Sequence, residues 1–210
     1  MGTAKGEKTV VAHNKVVIER YRVKLIGETP MVFQRYIDNQ EHPPQELLYL
    51  DEHGDLYIPG GNILGFFTNA TSGTGCAATF GAKGSKGELI RLAQSYLTVQ
   101  PDIIPFLRNG NRIRFGGFAQ GATVDHESGI RVLTNTAWVH KGKERIPQAR
   151  RRPVLDLPWT LEFELHLIPF GQLSFNLIDG WMERGGREIC LGAFRPFYGK
   201  FHHEVVAITN

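Results

Sequence analysis

Cysteine is scarce: Cys76 and Cys190 are the only two in 210 residues, far apart and in no metal-ligand spacing. That excludes a disulfide-stapled scaffold and a zinc knuckle, and it fits a reducing compartment. Long apolar runs are missing as well; none approaches the roughly 20 residues of a membrane span. The opening MGTAKGEKTVVAHNK has no apolar core of a secretory signal, and Gly6 stands where N-myristoylation would want Ser or Thr. These absences lead to the expectation of a cytoplasmic protein with no membrane partner.

Most catalytic signatures are absent too. The glycine-rich GTGCAATFGAKGSKG contains no Gly-Lys-Ser or Gly-Lys-Thr, so a phosphate-binding P-loop is excluded. No Gly-x-Ser-x-Gly elbow offers a hydrolase nucleophile. Eight histidines are present, yet none forms a His-x-x-His or His-Glu-x-x-His pair. His202 and His203 are neighbours on an expected strand, so they point to opposite faces and cannot share one ion from there. No metal and no cofactor is expected. Metal-free RNA cleavage would need only a general base, for which His13, His140 and His203 are candidates by type.

What the chain does have is glycine, 24 residues, with 11 prolines, the composition of a loop-rich fold containing strands. The apolar share of 41% and the charged share of 21% exclude global disorder. The net charge is only +3, but its placement is uneven. KGKERIPQARRR, Lys141 to Arg152, holds six basic residues and one acid, which leaves the remainder close to neutral. A local basic segment on a neutral body is the footprint expected of a phosphate contact.

Periodicity supplies the elements. In KVVIERYRVKLIGETPMVFQRY, apolar positions alternate with Arg20, Arg22 and Lys24, giving a half-buried strand with a basic outer face. LYIPGGNILGFFTNAT reads as a short strand, a turn and a helix from about Asn62, with Asn62 as its N-cap. Eight glycines fall within the 28 residues from Gly60 to Gly87, which reads as a flexible loop around the helix start. A helix follows over about Ser85 to Tyr96, then the strands LTVQPDIIPFL and NRIRFGGF. Residues 119–158 read as a basic β-hairpin arm inserted in the core. WTLEFELHLI alternates almost perfectly, FGQLSFNLIDGWMERGG has helical spacing ending at a Gly185 C-cap, and FHHEVVAI closes the chain. This order predicts one α+β domain over 1–210, a ferredoxin-like βαββαβ core with a long β-hairpin insertion.

Single-strand nucleic-acid binding asks for positive charge along a groove and flat side chains for stacking. The arm offers Lys141, Lys143, Arg145, Arg150, Arg151 and Arg152; the first strand offers Arg20, Arg22 and Lys24; Arg112 and Arg114 lie on another. Phe115, Phe118, Trp138, Phe194, Phe197 and Tyr198 offer aromatic planes, with Phe197 and Tyr198 in a glycine-bounded turn.

Three segments in order, LIGETPMVF after the first strand, LYIPGGNILGFF opening the first helix, and GGREICLGAFRPFYGKF before the last strand, resemble the repeat-associated mysterious proteins. These RAMPs are a CRISPR-associated superfamily of modified RRM-type domains that bind guide RNA in antiviral defence. Asn62 and Gly65 depart from the Ser and Lys-Gly usual there, and the Arg195-Pro196 insertion is atypical, as in a stand-alone relative of phage or mobile-element origin. The resemblance implies a backbone-type subunit whose arm occupies the place of a hairpin thumb. It also implies that Gly185, Gly186, Gly192 and Gly199 let backbone lie against a sugar-phosphate chain, beside Arg187, Arg195 and Lys200.

The resulting expectation is a binder of single-stranded RNA, with DNA as the other option, largely without sequence preference. It would self-associate along the strand or join a multi-subunit ribonucleoprotein. The alternatives are a metal-independent endoribonuclease using His140 or His203 as base, and a structural or assembly protein that contacts protein only.

Overall fold

The computed structural model of the protein describes residues 17–38, 41–69, 74–141 and 144–209, and the side chains of 137–141 lie outside that description. In chain order the strands are β1 (Glu19–Gly27), β2 (Met31–Val32), β3 (Tyr57–Pro59), β4 (Leu97–Gln100), β5 (Ile103–Arg108), β6 (Asn111–Arg112), β7 (Val124–Asp125), β8 (Ile130–Lys141), β9 (Glu144–Leu155), β10 (Thr160–Leu167) and β11 (Phe201–Ala207). The helices are α1 (Gly60–Thr68), α2 (Cys76–Phe80), α3 (Lys86–Tyr96) and α4 (Phe175–Glu188).

The main sheet runs β11-β1-β10-β5-β3, with β4 also on β10. β10 lies antiparallel to β1, which is antiparallel to β11 on its other side. With β4 and β5 together as the second core strand, this is the ferredoxin-like order: fourth, first, third, second. Alternation dictates which face is buried. Val23 and Leu25 of β1 and Leu161, Phe163, Leu165 and Leu167 of β10 turn inward under the helices. α1 contributes Ile63, Phe66 and Phe67 to that layer, α3 contributes Leu89 and Leu92, and α4 contributes Ile178, Trp181 and Met182. Ser174 caps α4, its Oγ accepting from the Leu177 amide at 3.4 Å.

A second, four-stranded sheet, β2-β9-β8-β7, carries the arm. β8 and β9 pair without interruption from Ile130↔Leu155 to Lys141↔Glu144. Burial in β9 is confined to its last four residues, Arg152 to Leu155, so the rest of that strand stands away from the core. In topology this hairpin lies between the second and third core strands, where it leaves the hydrogen-bonding order of the main sheet intact.

Several local expectations are corrected. α1 begins two residues before Asn62, with Pro59 as the N-cap and no side-chain cap; proline suits that entry because its φ is preset. The glycine-rich stretch contains α2, whose Cys76 and Ala77 are fully buried. α4 does not stop at Gly185 but continues to Glu188. A Cβ on Gly185 would meet the Phe66 ring at 2.5 Å, and one on Gly186 would collide with the carbonyl oxygen of Phe201. The two glycines let helix and neighbours touch, set against a helix cost of roughly 1 kcal/mol for each glycine. No helix among the described residues is long and apolar enough to cross a membrane.

Candidate nucleic-acid interface

The basic outer face expected of β1 is largely neutralised by its neighbours. β10 sets Glu162, Glu164 and His166 opposite Lys24, Arg22 and Arg20, and β11 sets Glu204 opposite Lys24. Arg20 Nη2 lies 2.8 Å from Glu164 Oε2, and Lys24 Nζ lies 3.7 Å from Glu204. The carboxyl of Glu164 is held below its usual pKa by hydrogen bonds from His166 and then Arg20. Arg22 shares a shallow depression with Gln100, Glu162 and Glu164. Arg187 is also engaged, its Nη2 donating to Glu183 one helical turn away at 2.9 Å.

A different region gathers the remaining features. The three segments that carry the sequence resemblance meet around one cleft of about 870 Å³. Met31 and Phe33 come from the first, Ile58, Gly61, Asn62, Gly65 and Phe66 from the second, and residues 188, 189 and 191–196 from the third. The stretch after α4 is bound to the start of the chain by backbone bonds: Ala193 N donates to Val32 O at 2.8 Å, and Gly199 N to Pro30 O at 2.9 Å. Lys200 N adds a bond to Thr29 Oγ1 at 2.9 Å. Gly192 and Gly199 both have positive φ, and a Cβ at either would strike a main-chain carbonyl oxygen, of Val32 and Leu191 respectively. Their Cβ directions face protein, as does that of Gly186 in α4, while Gly192 is itself exposed and lines the cleft.

Gly61 and Gly65 behave oppositely. They lie one helical turn apart on α1 and line the cleft, and a Cβ on either would meet nothing within 4 Å. They leave a smooth helix wall against which a ligand can lie. Across from them Phe194, at φ 55°, holds a left-handed conformation uncommon for a non-glycine residue. Arg195 lines the same cleft and donates from Nη2 to Thr74 Oγ1 at 3.4 Å. Phe197 is 83% exposed; Tyr198 and Lys200 are half-buried.

Phe194 and Gln34 also line a second, adjoining pocket of about 410 Å³ at the root of the arm. Arg150 and Arg152, on one face of β9, form part of its wall, together with Arg35 and Tyr36. Main-chain bonds set this geometry: β2 pairs with the end of β9, and Phe33 N donates to Pro153 O at 2.9 Å, so the chain after Phe33 runs beside those arginines. Arg35 Cζ sits 5.7 Å over the ring of Tyr49, itself part of the cleft. Arg145 and Arg151 are exposed on the opposite face of β9. Lys143 and His13 lie outside the described residues, as do the side chains of Trp138, His140 and Lys141.

Of the candidate bases, His203 lies on the helix side of the sheet, its Nε2 2.8 Å from Asp179 Oδ1, and it lines neither recess. Among the described residues no group of three or more His, Cys, Asp or Glu is placed to hold a metal ion. Sequence reasoning missed Gln34, Arg35, Tyr36, Gly61 and Gly65 as wall residues. The one available signal was the Gly61–Gly65 spacing, which puts both on one helix face.

The site therefore belongs to a ferredoxin-like α+β protein with a hairpin arm, and comparisons follow from that fold. No protein-family model matches the chain, and neither does any curated protein. Among solved structures it is similar to a chain of the Type III-B Cmr-beta complex, determined by cryo-electron microscopy bound to cognate target RNA. The TM-score is 0.57 and the identity 12%, over 91% of this chain. The match spans 61% of that neighbour's length. This likeness is one of fold.

Proposed function

We propose that the protein binds single-stranded nucleic acid, RNA in the first place, along the groove formed by the arm-root pocket and the cleft beside α1. The observation that carries this reading is the convergence of all three RAMP-like segments on one cleft, which continues past Phe194 to the arginine face of the arm. Charge at the arm root would hold phosphates, the open glycine wall of α1 would admit the sugar-phosphate chain, and Phe194, Tyr36 and exposed Phe197 would give bases a surface to stack on. None of these contacts selects a base, so recognition is of the backbone. Subunits would repeat along the strand, each arm reaching from its own core. The structural neighbour belongs to an RNA-bound assembly, which accords with this arrangement.

The test is fluorescence anisotropy of labelled single-stranded RNA and DNA titrated with protein at two salt concentrations, with a gel for cleavage. Salt-sensitive binding with intact RNA, and stoichiometry that rises with strand length, are the expected results. Cut RNA would replace binding with catalysis, and no binding at low salt would leave a protein that contacts protein only.

A further inference from the structure

We infer that the pocket at the root of the arm is a seat for one backbone phosphate, anchored by the buried guanidinium of Arg152 and completed by Arg150 and Arg35; this rests on the single-strand reading above. Arg152 is only 8% exposed, among the buried residues Val154 and Leu155. Its Nη1 donates to the Arg151 carbonyl at 3.1 Å, while its buried Nε has no hydrogen-bond partner among the described residues. A buried charge is normally paired, because desolvation penalises it. Here burial, followed by the neighbouring Arg150, lowers the guanidinium pKa, with Glu41 opposing.

Two acids, Asp38 and Glu41, share the pocket wall, and each has another hydrogen-bond partner. Glu41 accepts from Gln148 at 3.2 Å, and Asp38 takes His42 at 2.7 Å. Among the described residues none forms an ion pair with Arg35, Arg150 or Arg152, whereas Arg20, Lys24, Arg112, Arg114, Arg131, Arg184 and Arg187 are all paired. The arm root thus gathers three guanidinium groups that form no ion pair among the described residues, beside the carboxylates of Asp38 and Glu41. A guanidinium presents a planar fork that matches phosphate oxygens, and a partly enclosed space of about 410 Å³ has room for a phosphodiester with its sugar. Phe194 links this pocket to the cleft, so a phosphate seated here delivers the next nucleotide to α1.

The test compares wild type with Arg152→Gln, Arg152→Lys and, as an exposed single-charge control, Arg151→Gln. Each is titrated with a labelled oligouridine across a potassium chloride series. The expected result for Arg152→Gln is about a tenfold loss of affinity and a salt slope shallower by about 1, the mark of one lost phosphate contact. Arg152→Lys retains charge without the Nε donor and falls between, and Arg151→Gln has the smaller effect. The melting temperature of Arg152→Gln stays level or rises, because a buried charge has been removed. An unchanged slope, or one matching Arg151→Gln, overturns the seat while leaving strand binding intact. If wild type binds no strand at low salt, inorganic phosphate decides: a raised melting temperature in wild type but not in Arg152→Gln supports the seat, and no rise in either overturns it.

Discussion

Arg108 and Asp156 join the core to the arm: Arg108 Nη2 donates to the Asp156 carbonyl at 2.9 Å across 48 residues of sequence. The same guanidinium reaches Ser128 O at 2.9 Å and Pro158 O at 3.1 Å, so one β5 side chain ties down both ends of the hairpin. The guanidinium's planar fork spreads its donors widely enough to serve three separate carbonyls, which a compact ammonium on a flexible stem does less well. Arg108→Ala is expected to destabilise the protein by about 2–3 kcal/mol, measured by urea unfolding, because three carbonyls, two of them in part-buried bonds, lose charged donors. Arg108→Lys should recover little of it. Strand affinity should fall in both, since the pocket at the arm root loses its fixed wall.

Gly65 gives stability and binding in opposite directions. Its Cβ position is open, so Gly65→Ala should stabilise the helix by about 0.5–1 kcal/mol. Gly65→Leu should fold equally well yet fill the cleft. Calorimetry together with anisotropy should show melting preserved and RNA affinity lowered at least tenfold. Undiminished affinity in Gly65→Leu would mean that the strand does not lie against α1.

Gly186 should show the reverse pattern. Alanine there would press on the Phe201 carbonyl at the seam between α4 and β11. Overpacking of this kind costs about 1–3 kcal/mol. Thermal melting should drop for Gly186→Ala, with the RNA affinity of the folded fraction unchanged.

Asp55 sets an acid limit on stability. Its carboxyl accepts from Arg114 Nε at 2.9 Å and from Arg112 Nη1 at 3.4 Å. The Arg114 bond, helped by Arg112, holds its pKa below the ordinary 3.8 in spite of burial. A depressed folded pKa stabilises above the unfolded value and loses that contribution as pH falls through the folded one. Unfolding midpoints measured from pH 7 downward should therefore decline below about pH 4, and Asp55→Asn should flatten that decline while lowering stability at pH 7.

The core was readable wherever one strand's alternation fixes burial by itself. β1 and β10 each declare an inward face, and the order of strands and helices implied the ferredoxin-like sheet. What pairing adds was not readable. Arg20, Arg22 and Lys24 looked like a basic face because the acids that offset them come from β10 and β11, more than a hundred residues away. Gly185 and Gly186 looked like a helix stop because local propensity says nothing of Phe66 and Phe201 pressing on that surface. Arg35 and Tyr36 occupy an irregular segment with no periodicity at all; only the pairing of β2 with β9 brings them beside Arg150 and Arg152. The resemblance in three segments located the cleft, while the packing of Gly186, Gly192 and Gly199 against protein atoms depends on partners that no local pattern announces.

The uninterrupted one-to-one ladder of β8 and β9 makes the arm's reach an adjustable length. Beyond its root each added or deleted cross-strand pair changes the span by about 3.4 Å while leaving the main sheet untouched. Parity governs the outcome: losing one pair between root and tip turns every distal side chain to the other face, whereas losing two restores the original facing. Insertions and deletions in even steps would let related chains measure out different intervals along a strand with the same core, the same cleft and the same arginines at the base.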